Sequence, residues 1–411
     1  HGFQIITQPR PWDKNGVRRA AISNFGFGGN NAHLIIEEWN GAGRLSSRGV
    51  RRSVEPIIVA GMGIIAGRSR DAREFAQHLL TARTVVPEAV EEICLSLEHC
   101  AFPPNDLKAA LAQQNALFAV AQEALAGVPN LPAARTGVYV GMGCDTLVAR
   151  HGMRMKMPER LDSDAAAAWV SDNRDAAPAL TAAGVIGTMP NIPANRLHAA
   201  FDFKGPGFTL SSEELSGLEA LRIAARALGA GEIDTALVGA VDFSCEPAHV
   251  AASAHILPDN RRIAGDAAVL LIVMRQSTAQ DLGANILARI SFEESECGET
   301  VLGSPNMGDE IALRIGHAHA ASGLLQVAGE IISQGARAEI DEAGAWPRGG
   351  SGKSSVNVRS FSGQECSLSI DCPTNALVLP FPIPAVSYYA AESHVELHER
   401  IAADKPGNSG A

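Results

Sequence analysis

The sequence predicts an α/β protein, and two observations carry that prediction. Short apolar runs bordered by glycine, at 56–63, 135–143, 232–242 and 265–273, alternate with segments whose apolar residues recur at three- and four-residue steps. Helices packed on a sheet require that alternation. The 411-residue length, with 46% hydrophobic and 19% charged residues, supplies an ordinary globular core and room for more than one structural unit.

Charge narrows the class. The formal net charge is −11 and the sequence pI about 5.6, which argues against non-specific binding to nucleic acid or to an anionic membrane. No apolar run reaches the roughly 18 residues of a membrane span. No signal-peptide layout is present either, so a cytoplasmic location is expected. Seven cysteines with irregular spacing and no C-x-x-C pair predict neither a disulfide framework nor a zinc site. The chain opens at His1 inside a pattern, so it is expected to be part of a longer protein.

Residues 1–40 read as a strand, a glycine-dense turn and a second strand, through RRAAISNFGFGGNNAHLIIEE at 18–38. Residues 41–54 are small, polar and basic, which is linker composition, although the four arginines could also meet an acidic partner. PIIVAGMG at 56–63 is a buried strand whose G-x-G lacks the third glycine of a dinucleotide site. A helix is expected over 71–80 and a single longer one within 103–128, from Leu107 to Ala126. Cys144 follows the strand at 135–143, with nothing basic placed locally to activate it. Met153 to Met157 alternates methionine with basic residues and reads as a dimer-facing excursion.

Residues 205–218, GPGFTLSSEELSGL, predict a tight turn, a short strand and the start of a helix running to about Leu228. Such an elbow suits a nucleophile, because the side chain projects from a strained turn and the helix N-terminus favours negative charge. Buried strands follow at 232–242 and 265–273. His317 and His319 stand on a turn entering an amphipathic helix. With no further ligand nearby in order, this H-x-H pair predicts no metal. A second hairpin is expected over 353–370, then a Pro-rich linker at 373–387 and a segment of helical spacing at 388–401.

The elbow resembles that of β-ketoacyl synthases, G-P-S-x-T-V-D-T-A-C-S-S-S-L, and laid on it without a gap places Glu214 at the cysteine. ANRL at 194–197 and FDFK at 201–204 resemble the segment that precedes the elbow in that family. Residues 18–38 resemble the end of a ketosynthase domain and 55–63 the beginning of another, so two such domains would stand in tandem. The resemblance implies a thiolase-like fold: two related α/β halves in an α-β-α-β-α sandwich, the second half shortened. It would be preceded by the terminal β-hairpin of another ketosynthase. In that first hairpin it implies a gating phenylalanine and an oxyanion-hole N–H at Phe27, Gly28 and Gly29. The second hairpin is a worn copy of it, and the lost glycine pair argues against an oxyanion-hole role there.

The family drives condensation with the cysteine, a histidine in H-G-T-G-T, and a lysine and second histidine in K-x-N-I-G-H. This chain contains no H-G-T-G-T, and Ala312 and Arg314 stand at the lysine and asparagine. His317 is the surviving histidine. Glu214 is a poor acyl carrier, because a mixed anhydride would hydrolyse, so the segment is expected to be catalytically inactive by itself. The organisation implied is the end of a catalytic ketosynthase at 1–40, a linker at 41–54, a chain-length-factor-like domain at 55–372, and a linker with the start of an inter-domain helix at 373–411. Such a domain pairs with an active ketosynthase of the same parent chain as a pseudodimer and shapes the acyl tunnel. It has no cofactor of its own, and an acyl carrier protein would deliver substrate on its phosphopantetheine arm. Two alternatives remain open: a malonyl-carrier decarboxylase using Glu214 and His317, or a fragment without function.

Overall fold

In a computed structural model of the chain, the described residues are 5–12, 16–25, 31–39, 55–81, 89–97, 100, 102–128, 130–292, 307–341, 344–347 and 353–372. Phe27, Gly28 and Gly29, the linker at 41–54 and the segments at 373–387 and 388–401 lie outside them. The chain divides into two compact units, His1–Arg52 and Ser53–Ala411. The first unit is a hairpin of β1 (Arg19–Phe25) and β2 (Asn31–Glu37), with Arg19 opposite Glu37. Its apolar side chains Ile22, Leu34, Ile35 and Ile36 are exposed. A lone two-stranded hairpin buries too little to stand alone.

The second unit begins with β3 (Ile57–Ala66), α1 (Ala72–Thr81), α2 (Pro104–Lys108), α3 (Ala112–Ala126) and β4 (Thr136–Met142). A helical excursion follows: α4 (Thr146–Lys156), α5 (Ser163–Asp172) and α6 (Ala182–Thr188). Next come α7 (Ile192–Phe201), β5 (Gly207–Leu210), α8 (Ser216–Gly229), β6 (Thr235–Phe243) and α9 (Pro247–Ile256). The remainder is β7 (Asp266–Arg275), α10 (Gln276–Leu282), β8 (Ala288–Phe292), α11 (Met307–Arg314), α12 (His319–Gly335), β9 (Ala338–Asp341), β10 (Gly344–Pro347), β11 (Lys353–Arg359) and β12 (Glu365–Asp371).

Eight of these strands form one mixed sheet in the order β11-β12-β8-β3-β7-β6-β4-β5. β4 runs parallel to both β5 and β6, and every other pairing is antiparallel. The central strands β3, β4, β6 and β7 are buried on both faces, which explains why they read as continuous apolar runs rather than alternating ones. One core lies between the sheet and α3 with α7. The other holds α1, α8, α11 and α12. Helix α12 touches β4, β6, β7, β11 and β12 of the large sheet and β9 of the separate β9–β10 pair. It is buried almost all round, as the inner helix layer of a thiolase-like sandwich must be. Among the described residues no helix is long and apolar enough to cross a membrane.

The glycines of the 56–63 run pack a helix. A Cβ on Gly63 would lie 2.0 Å from the carbonyl oxygen of Val120, and one on Gly61 2.8 Å from that of Ala124. Helix α3 therefore rests directly on the backbone of β3. The single helix expected within 103–128 is two helices. Leu111 is extended (φ −54°, ψ 139°) and its N–H donates to the carbonyl of Gly187 at 3.0 Å. A Cβ on Gly187 would meet the oxygen of Ala109 at 2.4 Å, so α6 wedges against the break. No glycine or proline between Lys108 and Ala112 announces it.

Candidate functional site: the elbow and its surroundings

The elbow leaves the sheet edge at β5 and enters α8 through a turn closed by Leu215 N–H to Ser212 O (2.9 Å) and Ser216 N–H to Glu213 O (3.1 Å). Ser216 locks it further, accepting from Ser212 N–H and donating to Glu213 O. Glu213 holds φ +51°, a conformation that few side chains other than glycine adopt without strain. Behind the elbow, a Cβ on Gly217 would lie 2.7 Å from Leu324 Cβ and 2.8 Å from Ala240 Cβ, so α8, α12 and β6 meet there. Gly323 of α12 donates its N–H to Glu214 O at 3.2 Å.

This frame turns the Glu214 side chain inward, where it is 1% exposed. Its Oε1 accepts from Arg261 Nη1 at 2.8 Å and its Oε2 from the N–H of Phe361 at 2.8 Å. Arg261 also donates to Arg359 O, and Glu213 accepts from the N–H of Ser362 at 2.7 Å. Two successive glutamates thus hold two successive N–H groups of the β11–β12 turn. Burial pushes the Glu214 carboxyl upward, but His317 close by and the N–H groups of Glu214 itself and Phe361 pull it down to about 2. The residue is an anion at neutral pH.

His317 lies across from it, with Nε2 3.3 Å from Glu214 Oε1. That nitrogen completes no aligned hydrogen bond. Its backbone is fixed by His317 N–H to Ile263 O (2.7 Å) and Gly265 N–H to His317 O (3.1 Å). The approach needs a glycine before it: Gly316 has φ +100°, and a Cβ there would meet Ala264 O at 2.3 Å. Burial lowers the imidazole from its ordinary value despite Glu214, and the ring is neutral at pH 7. Ser322 Oγ is 3.4 Å from its Nδ1. His319 places Nδ1 4.0 Å from the same Glu214 oxygen.

Of the residues singled out from the sequence, Glu214 and His317 come together. Arg314, at the position of the family asparagine, is buried and pairs within α11 with Glu310 at 2.5 Å. Cys144 is exposed, with its Sγ 3.9 Å from the Asp145 carbonyl oxygen. The worn hairpin, from which the lost glycines argued away an oxyanion-hole role, nevertheless aims the N–H of Phe361 at the elbow residue. Arg261, Glu213 and His319 were missed as members of the site. A buried carboxylate demands a cation, but nothing in the sequence says which of the arginines supplies it.

Residues 94–261 match the family model of the β-ketoacyl synthase N-terminal domain. The chain is 25% identical over 273 residues to a polyunsaturated fatty acid synthase polypeptide of Thraustochytrium sp., an alignment covering 57% of this chain and 13% of that protein. It is 30% identical over 204 residues to the spectinabilin polyketide synthase protein NorA' of Streptomyces orinoci, covering 45% of this chain and 5% of that one. The chain thus spans a small fraction of these relatives. Among solved structures, one described as a PfaC keto synthase-chain length factor superposes with TM-score 0.69 at 16% identity, over 95% of this chain and 50% of its own. The module 6 ketosynthase of the Bacillus subtilis bacillaene synthase superposes with TM-score 0.55 at 15% identity, over 78% of this chain and 72% of its own. The fold is therefore that of the thiolase-like ketosynthases, and within it residues 94–261 match the β-ketoacyl synthase N-terminal domain.

Proposed function

We propose that this domain is a non-condensing, chain-length-factor-like partner of an active ketosynthase in a multidomain polyketide or fatty acid synthase. The observation that carries the reading is the state of Glu214. At the position of the nucleophile stands a buried anion whose two oxygens are engaged by Arg261 and by the N–H of Phe361. An N–H already holding a carboxylate is not free to stabilise a thioester oxyanion. With Ala312 and Arg314 in place of the family's lysine and asparagine, the residues support packing rather than acyl transfer.

Pairing is the complementary half of the reading. The outer strand β5 has β4 on one side only. The excursion of α4, α5 and α6 exposes Met153, Met155, Leu180, Val185 and Ile186. An active ketosynthase from the same parent chain, to which residues 1–40 would belong, is the proposed occupant, forming a pseudodimer. An acyl carrier protein would deliver substrate on its phosphopantetheine arm, in the cytoplasm, with no further cofactor for acyl transfer. Supplying malonyl-carrier protein to the purified protein, wild type and Glu214→Ala, tests the non-condensing reading. No carbon dioxide release and no condensed product is expected from either. Release that the substitution abolishes would favour the decarboxylase reading and sink this one.

A further inference from the structure

The geometry points to a divalent transition-metal site, of the kind that takes zinc, formed by Glu214 Oε1, His317 Nε2 and His319 Nδ1. These three donor atoms lie within 4.8 Å of one another. Each comes from a segment held for other reasons: Glu214 by the elbow, His317 by its bonds to the chain entering β7, His319 by the first turn of α12. Two of the donors lack hydrogen-bond partners among the described residues, namely Nε2 of His317 and Nδ1 of His319. His317 is 8% exposed, so an unpartnered nitrogen there is costly unless a ligand takes it.

The donor set is one that borderline cations accept. Two imidazoles and a carboxylate are common zinc ligands, at about 2.0–2.2 Å, and three protein ligands leave a fourth position for solvent. In a tetrahedral site the donors stand roughly 3.3–3.5 Å apart by that geometry. The Oε1–Nε2 separation is 3.3 Å, the Oε1–Nδ1 separation is 4.0 Å and all three donors lie within 4.8 Å, so the His319 ring has to move inward to close the site. His319 keeps 25% of its side chain exposed and has room for it. Ser322 Oγ, on the far side of His317, can accept from Nδ1–H and so leave Nε2 as the coordinating nitrogen.

Arg261 opposes the cation. Its guanidinium already donates to the same Glu214 oxygen and repels a second positive charge, and with 24% of its side chain exposed it can turn away. The site is therefore a competition between a fixed internal cation and an exchangeable one. It goes beyond the non-condensing reading and does not depend on it.

The test is zinc titration of the purified full chain against a chromogenic chelator, with cobalt(II) absorption as a second probe. One equivalent bound, with the visible bands of low-symmetry cobalt–histidine coordination, is expected. His319→Ala weakens binding more than about tenfold, as loss of a ligand should, and Arg261→Gln strengthens it. Circular dichroism confirms that each variant is folded, and His319→Gln provides a gentler second variant. Absence of stoichiometric zinc binding overturns the proposal. So does binding that neither His319 variant weakens, which would locate the metal elsewhere, for instance on the cysteines.

Discussion

A carboxylate withdrawn from water must be neutralised or protonated, and at Glu214 neutralisation wins because Arg261 and two backbone N–H groups converge on it. Removing one member of a buried pair costs about 3–5 kcal/mol, so Glu214→Ala is expected to lower the urea midpoint markedly. Glu214→Gln keeps the shape and one acceptor, and its loss should be smaller, about 1–3 kcal/mol. The pH dependence has a definite sign. A carboxyl held at about 2 in the folded state, against an ordinary 4.5, contributes stability above 4.5 that disappears as pH falls towards 2. The full swing is on the order of 3 kcal/mol. His317 adds to the acid side: with its folded value lowered, the unfolded chain takes up the proton first, and stability begins to fall below about 6.5. Equilibrium unfolding from pH 7 to 3 should show a shallower decline in Glu214→Gln than in the wild type. Equal declines would remove the buried anion from the account.

At the scale of elements, close approach without side chains is what lets the elbow sit between β4, β6 and α12. A Cβ on Gly141 of β4 would lie 2.4 Å from the Ser216 carbonyl carbon and 2.5 Å from Gly217 N, against backbone that cannot move aside. Gly141→Ala is therefore expected to destabilise by about 1–3 kcal/mol or more, read as a fall in the urea midpoint. Gly152→Ala, in α4, has nothing within 4 Å of its added methyl and should be neutral or slightly stabilising. The β11–β12 turn is fastened by Glu213 and Glu214 rather than by apolar contacts of its own tip, where Phe361 is exposed. Double substitution of the two glutamates by alanine should accelerate amide exchange at Phe361 and Ser362 while the central strands stay protected. Unchanged exchange at those two amides would mean that the turn is held by its own hairpin bonds.

For the whole molecule, strands and helices were legible because their signals are local. Glycine-bordered apolar runs marked β3, β4, β6 and β7, and the elbow pattern marked β5 and α8, since burial on both faces leaves a continuous hydrophobic record in the chain. The break between α2 and α3 was not legible, because its cause is Gly187 from a helix more than seventy residues later. The absence of a cysteine at the elbow was equally plain in the sequence. What replaced that cysteine as a physical object was not. Arg261 and the turn at Phe361 reach Glu214 from 47 and 147 residues away along the chain, and His319 comes from the start of a different helix. The sequence by itself determined the fold resemblance and the glutamate at the elbow position, because both are patterns of neighbouring residues. Only the tertiary structure decided that the elbow position holds a fully engaged anion beside two imidazole nitrogens that lack hydrogen-bond partners among the described residues. Burial, charge pairing and ligand geometry arise between segments that no local pattern joins.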